Sequence, residues 1–296
     1  MQAGDLISSL NKTRPILITG PTGCGKSALA IKIATTLGGL IINADAMQVY
    51  AGWRILTARP TKNDEMTTSH ALYGHVNNWE AYSVGDWLRQ IKPLLDGPER
   101  PIIVGGTGLY FKALTEGLAK IPEIPEKIKR EASDFIKTGR FSDMIGELDV
   151  ETRSKIDLKN PVRVARAWEV WRTTGKSITF WHANTPVAFL NYEKCDALCL
   201  HGPTPWLNQR IEERFKTMLR KGVLTEVERN FKKWNPTLQS SQVIGAAELI
   251  EYLSGNLNIK KATELATIAS KQYAKRQRTW FRKRMAEWTT VDAEKL

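Results

Sequence analysis

The chain has 296 residues, 42% of them hydrophobic and 25% charged, and 43 basic against 31 acidic side chains give a formal net charge of +12. This composition fits a globular protein of one large domain or two smaller ones, and it excludes collagen, coiled coil and wholesale disorder. Apolar runs such as Ile16 to Ile18 and Ile102 to Val104 fall far short of the roughly 20 residues that span a bilayer, so no membrane association is expected.

The first ten residues contain Asp5 and lack both a basic start and an apolar core, unlike a secretory signal. Only three cysteines occur, Cys24, Cys195 and Cys199, as suits a reducing compartment, and a cytoplasmic protein is expected. Residues 1–110 hold 10 basic and 8 acidic residues, whereas residues 111–296 hold 33 and 23. The surplus therefore belongs to the later part of the chain, as expected for a polyanion partner; a solvated basic surface is the bland alternative.

In chain order, Arg14 to Gly20 is a short β-branched run ending in glycine, and Lys26 to Leu37 has helical periodicity stopped by Gly38-Gly39. Leu40 to Asn43 and Pro101 to Val104 are two further buried strands. Short apolar strands alternating with helices predict a parallel sheet in an α/β fold. From Ile121 to Trp181 only charged, helix-like segments follow Pro122 and Pro125. Ala197 to Leu200 restores a strand, after which Trp206 to Phe231 and Lys261 to Trp288 read as long amphipathic helices. With the phosphate-loop pattern Gly20 to Ser27 between the first strand and helix, the expected architecture is an α/β, P-loop NTPase-like parallel sheet flanked by helices, with an inserted all-helical domain. Its parts are residues 1–117 as the first part of the core, 118–190 as the insertion, and 191–296 as the return to the core.

Gly20-Pro21-Thr22-Gly23-Cys24-Gly25-Lys26-Ser27 matches the eight-residue phosphate-loop pattern between a strand and a helix, where its mechanism requires it. Backbone N–H groups wrap an anion, the helix N-terminus adds positive potential, Lys26 supplies a point charge and Ser27 a hydroxyl for Mg²⁺. A di- or triphosphate is the expected ligand, and ATP is one candidate. Nucleotide hydrolases of this class carry an aspartate at the end of a buried strand, but Pro101 to Val104 runs instead into Gly105-Gly106-Thr107-Gly108. Leu40 to Asn43 does deliver a carboxylate, Asp45, to the edge where strand C-termini face a ligand. Asp45 is a candidate metal ligand or base; its structural alternative is a helix N-cap.

These segments resemble one family. Gly20 to Ser27, Asp45-Ala-Met-Gln-Val-Tyr50, Leu56-Thr-Ala-Arg-Pro60, Gly105-Gly-Thr-Gly-Leu-Tyr110, Arg163-Val-Ala-Arg-Ala-Trp-Glu169, Gln209-Arg-Ile-Glu-Glu-Arg214 and Lys275-Arg-Gln-Arg-Thr-Trp-Phe-Arg282 look like the ordered signatures of the bacterial tRNA dimethylallyltransferases, also called tRNA isopentenyltransferases. The resemblance runs from about residue 14 to residue 284. It implies transfer of the five-carbon group of dimethylallyl diphosphate to N6 of the adenosine 3′ of the tRNA anticodon, releasing diphosphate, with the adenosine extruded into a channel. It implies Asp45 as general base and Thr107 as a hydrogen-bonding partner of the reacting base. The phosphate loop would hold the diphosphate, with Mg²⁺ placed partly by Ser27.

The same resemblance implies contact with the tRNA anticodon stem-loop by several segments. They are Asp45, Ala46, Met47, Gln48 and Thr107 at the site; Lys129 with Val162, Arg163, Val164, Ala165 and Arg166 in the insertion; and Gln242, Val243, Ile244, Gly245, Ala246 and Ala247 after it. The last is Lys275, Arg276, Gln277, Arg278, Thr279, Trp280, Phe281 and Arg282, within a stretch, Lys271 to Arg284, that has seven basic residues and no acid. A monomer without an obligate protein partner is the family expectation.

The chain departs from the family pattern at Ala46, where serine is usual, at Leu56 and Arg59, where glycine and lysine are common, and at Ala246, where a larger residue often stands. Cys195, Cys199, His182 and His201 could be imagined as a metal cluster, but the three-residue gap between the cysteines lies across the predicted strand, and Cys195 and Cys199 are expected to be buried packing residues. Two competing readings are a P-loop kinase of a nucleoside or small metabolite and an RNA-binding protein with a regulatory nucleotide. A kinase leaves the basic, aromatic C-terminal helix and Gly105 to Tyr110 without purpose.

Overall fold

The computed structural model describes residues 2–296. Six parallel strands, β1 (Ile16–Thr19), β2 (Leu40–Asn43), β3 (His70–Ala71), β4 (Pro101–Val104), β5 (Asp196–His201) and β6 (Thr289–Asp292), form one sheet in the order β3-β2-β4-β1-β5-β6. β1 and β4 are buried at every residue, as expected of parallel strands covered on both faces. Pro101 is tolerated because it opens its strand. The chain passes from β1 to β2 across the position later filled by β4, so the C-terminal ends of β1, β2 and β4 converge, and ligands bind at such an edge.

The chain divides into two compact units, one running to Thr115 and resuming over Leu190–Leu296, the other Glu116–Phe189. The first contains the sheet and a core of Ile16, Ile18, Leu29, Ile33, Ile102 and Leu198. Its second cluster, around Tyr50, Trp53, Phe215, Met218, Val227 and Ala266, lies among the later helices. The other unit contains helices and, among the described residues, no strand. Its longest helix is Pro161–Thr174, and it packs around Met144, Val164 and the fully buried Trp168.

The helix Lys26–Leu37 is bounded by glycines of positive φ, Gly25 at 90° and Gly38 at 72°. The segment Trp206 to Phe231 is two helices rather than one, Thr204–Arg220 and Val223–Phe231. Gly222, at φ 86°, breaks them. Apolar periodicity continues across the break because both helices bury residues in the same cluster, Phe215 and Met218 from one and Val223 and Val227 from the other. The last long helix is Ile259–Arg284, whose N-cap Asn258 accepts from Lys261 N–H through its side chain. It stops before Trp288, and the chain continues into β6. No helix among the described residues is long and apolar enough to cross a membrane.

Candidate active site

Three loops leave the C-terminal edge of the sheet and meet in a cleft of about 590 Å³ within the sheet-containing unit. The phosphate loop follows β1. Gly20 is required by space, since a Cβ there would lie 2.6 Å from the Leu200 carbonyl oxygen. Lys26 Nζ donates to the carbonyls of Gly20 and Pro21, each at 2.8 Å. The ammonium thus rests on the loop's own carbonyls and is positioned beside the anion cradle. Arg210 Nε donates to the Gly23 carbonyl at 2.7 Å, and its guanidinium stacks over Trp206.

The loop after β2 supplies Asp45. Buried Asn43 holds it: Asn43 Oδ1 accepts from Asp45 N–H at 2.8 Å, and Nδ2 donates to the Asp45 and Leu72 carbonyls at 3.0 Å. Asp45 Oδ1 accepts from Met47 N–H at 3.0 Å, closing a turn. Asp45 caps no helix, and its Oδ2 accepts no hydrogen bond among the described residues. The carboxylate is therefore oriented by one oxygen and free at the other.

The loop after β4 crosses closely over this turn. A Cβ on Gly105 would sit 2.0 Å from the Ala44 carbonyl oxygen, so only glycine fits. Thr107 N–H donates to that same carbonyl at 3.2 Å, and Thr107 Oγ1 accepts from Ala46 N–H at 2.9 Å. The backbone of Ala46, rather than its missing hydroxyl, makes this link.

Helices close the cleft. Arg214, on Thr204–Arg220, lines it and makes no hydrogen bond or ion pair among the described residues. Burial lowers its basicity, and the charge of Asp45 works in the opposite direction. Tyr273, on Ile259–Arg284, lines the cleft beside Gln277 and Thr107; burial and then the Asp45 charge raise its phenol above the ordinary range. Arg214 and Tyr273 both feel Asp45, so the cleft is organised around that carboxylate. Leu56, Ile211, Phe215, Met218 and Val243 add an apolar wall.

Metal fit follows from the donors. Among the described residues no three His, Cys, Asp or Glu side chains gather as a metal site. The cleft offers hard oxygens instead, with Ser27 and Asp45 both lining it, which suits Mg²⁺, a cation that keeps waters and relies on substrate phosphates. Burial pushes the Cys195 and Cys199 thiols up to about 11, as expected of cysteines packed among apolar neighbours.

A family model described as IPP transferase matches residues 48–284, and one described as isopentenyl transferase matches residues 14–74. The chain belongs to the tRNA dimethylallyltransferase family. A tRNA dimethylallyltransferase of Dinoroseobacter shibae is 49% identical over 288 residues, covering 96% of this chain and 97% of its own length. That of a Ruegeria species is 47% identical, covering 97% and 99%. Among solved structures, the full-length tRNA isopentenylpyrophosphate transferase of Bacillus halodurans superposes with a TM-score of 0.66 at 29% identity, covering 95% of this chain and 90% of that one. A eukaryotic dimethylallyltransferase acting on tRNA gives 0.78 at 25% identity, covering 95% and 74%. The fold is the P-loop NTPase-like one expected, a six-stranded parallel sheet with the phosphate loop between β1 and the helix Lys26–Leu37.

For this dimethylallyltransferase family member, the structure brings the phosphate loop, Asp45 to Gln48, Thr107, Gln242 to Ile244, Arg276 and Gln277 around one cleft. Other residues expected to contact tRNA lie elsewhere. Gly245 packs toward Leu56 and Phe215, Ala246 is fully buried, and only Ala247 of that trio is exposed. Along Ile259–Arg284, Lys275, Thr279 and Arg282 are exposed, Arg278 and Trp280 are half-buried, and Phe281 is in the core. Gln277 is 5% exposed and faces the cleft rather than the outer surface of the helix. In the helical unit Lys129, Val162, Arg163 and Arg166 are exposed, whereas Val164 and Ala165 are buried in that unit's own core. Arg59 donates to the Tyr50 and Ala51 carbonyls and pins the turn after Asp45. Arg214 closes one of the family signatures in the sequence but has no role assigned there. Its signal is a cation set between Ile211 and Phe215 on the apolar face of a helix.

Proposed function

We propose that the protein transfers the dimethylallyl group of dimethylallyl diphosphate to N6 of the adenosine next to the tRNA anticodon. The observation that carries this reading is the pairing, in one cleft, of an anion cradle bearing an unneutralised Arg214 with an oriented carboxylate, Asp45, free at Oδ2 among the described residues. The backbone N–H groups of the phosphate loop, Lys26 and Arg214 bind the diphosphate and stabilise the negative charge that grows on it as the allylic C–O bond breaks. Ser27 and the diphosphate would hold Mg²⁺, which neutralises part of that charge when bound. The apolar wall of Phe215, Met218 and Val243 suits the five-carbon group.

On the acceptor side, N6 attacks the allylic carbon, the new C–N bond forms, and Asp45 Oδ2 accepts the N6 proton. Thr107 Oγ1, tied to Ala46 N–H, stands next to Asp45 as a hydrogen-bonding partner for the base. Positioning matters more than proton transfer alone, because an adenine amine is a weak nucleophile. The adenosine must leave its stack to enter the cleft. Exposed Lys275, Thr279 and Arg282, with Arg163, Arg166 and Lys129 of the helical unit, form the phosphate-binding surfaces on this reading. The last three hold only long surface ion pairs, such as Arg163 with Asp157 at 3.9 Å, which RNA phosphates replace at little cost.

Competition binding tests this assignment against a kinase: labelled dimethylallyl diphosphate should be displaced by inorganic pyrophosphate and unlabelled dimethylallyl diphosphate at far lower concentration than by ATP. Preference for ATP would overturn it.

A further inference from the structure

Gln277 sits at a point where the diphosphate end and the acceptor end of the cleft are joined by a single side chain. Its Oε1 accepts from Thr22 N–H of the phosphate loop at 2.8 Å, and its Nε2 donates to the Gly106 carbonyl at 2.9 Å. Thr22 lies within the phosphate loop, and Gly106 precedes Thr107. The two loops leave the paired strands β1 and β4, whose ends are tied by Gly105 N–H to the Ile18 carbonyl and by Thr19 Oγ1 to the Gly105 carbonyl, and Gln277 extends that link one step further along both loops. Tyr273, one turn earlier on the same helix, lines the same cleft and has its phenol close to the Gln277 and Thr107 side chains. Space agrees with chemistry here: a Cβ at Gly106 would lie 2.4 Å from Gln277 Nε2, so the amide reaches the loop only because that position is glycine.

The geometry points to Gln277 as a positioning residue that sets the distance between the leaving group and the attacking amine, with Tyr273 placed beside its amide and the Thr107 hydroxyl. A glutamine amide suits this task, because one planar group supplies an acceptor and a donor in opposite senses. Being buried, both of its ends are costly to leave unpaired. The inference rests on the proposed transfer for what the two loops bind.

The test uses the full chain with Gln277→Met, which keeps the length of the side chain and removes both hydrogen bonds, and with Tyr273→Phe. Three quantities are read: the dissociation constant of inorganic pyrophosphate without tRNA, the single-turnover transfer rate with both substrates saturating, and the dissociation constant of tRNA. Gln277→Met should weaken pyrophosphate binding about tenfold, slow single turnover roughly ten- to a hundredfold through misplacement of the reacting atoms, and leave tRNA affinity within about twofold. Tyr273→Phe should slow turnover less, and the double variant should lose less than the product of the two single effects, because the two side chains are neighbours.

A fall in tRNA affinity with an unchanged single-turnover rate would make Gln277 an RNA contact instead and overturn the inference. So would unchanged pyrophosphate binding and rate. If Gln277→Met does not fold, Tyr273→Phe decides alone, an unaltered rate refuting the inference. Failure of the wild-type protein to transfer would refute the proposed function, while the pyrophosphate measurement, which needs neither tRNA nor transfer, would still report on the strut.

Discussion

Replacing Arg214 by glutamine separates a ligand-binding cation from a structural one. Arg214 faces the cleft without a hydrogen bond or ion pair among the described residues, and burial already lowers its basicity. A hydrogen bond from a charged donor to an anionic ligand contributes about 1.5–3 kcal/mol. Its removal should weaken pyrophosphate binding by about tenfold to a hundredfold at 25 °C. The folded protein without ligand should lose nothing comparable, because no protein partner is orphaned and a partly desolvated charge is removed. Titration calorimetry with pyrophosphate, alongside thermal melting with and without it, reads both effects. The expected pattern is an unchanged or raised melting temperature of the ligand-free protein and a smaller upward shift on adding pyrophosphate. Pyrophosphate affinity within about threefold of wild type, well short of the range expected for a charged hydrogen bond, would refute the assignment of Arg214 as an anion ligand. A large drop in the ligand-free melting temperature would show that it supports the fold instead.

Asp45→Asn should lower single-turnover transfer by roughly 10²- to 10⁴-fold with tRNA affinity nearly unchanged, as measured by rapid quench and filter binding. Glu226 is buried and accepts from the backbone N–H groups of Arg54, Ile55 and Leu56 at 2.6, 2.7 and 2.9 Å. Glu226→Ala leaves all three donors without that acceptor and should cost at least about 2 kcal/mol in urea unfolding. Gly105→Ala should abolish transfer and destabilise the protein, as read by turnover and thermal melting, since the new methyl would collide with the Ala44 carbonyl and displace the turn that holds Asp45. Lys275→Ala with Arg282→Ala should weaken tRNA binding and reduce the slope of log affinity against log salt by about 0.7–0.9 for each phosphate no longer neutralised.

The parts of the fold with strong local patterns were legible in the sequence. Leu40–Asn43 and Pro101–Val104 are strands at those residues, and Lys26–Leu37 is a helix between its glycines. β3 has only two residues, and β6 buries only Val291 fully, so neither carries an alternating or continuous apolar signal. The break at Gly222 was hidden because a glycine within a continuing apolar period also occurs inside helices. At the site, the phosphate-loop pattern and Asp45 stood out through chemistry and position. Gln277 did not, because the basic residues from Lys275 to Arg282 surround it on both sides in the chain. Its periodicity held the signal: Ala266, Ser270, Ala274, Gln277 and Phe281 are all buried and recur at spacings of three and four. A glutamine in such a stripe is turned inward, toward partners that only the folded chain supplies.

The central claim is that the anion cradle and Asp45 act on two substrates in one cleft. Its most direct test is incubation of the protein and Mg²⁺ with radiolabelled dimethylallyl diphosphate and unmodified tRNA, followed by nucleoside analysis, with Asp45→Asn run in parallel. The account predicts label on N6 of the adenosine beside the anticodon and release of diphosphate with the wild-type protein, and almost none with the variant. Absence of label with the wild-type protein, or equal labelling by both, would contradict it.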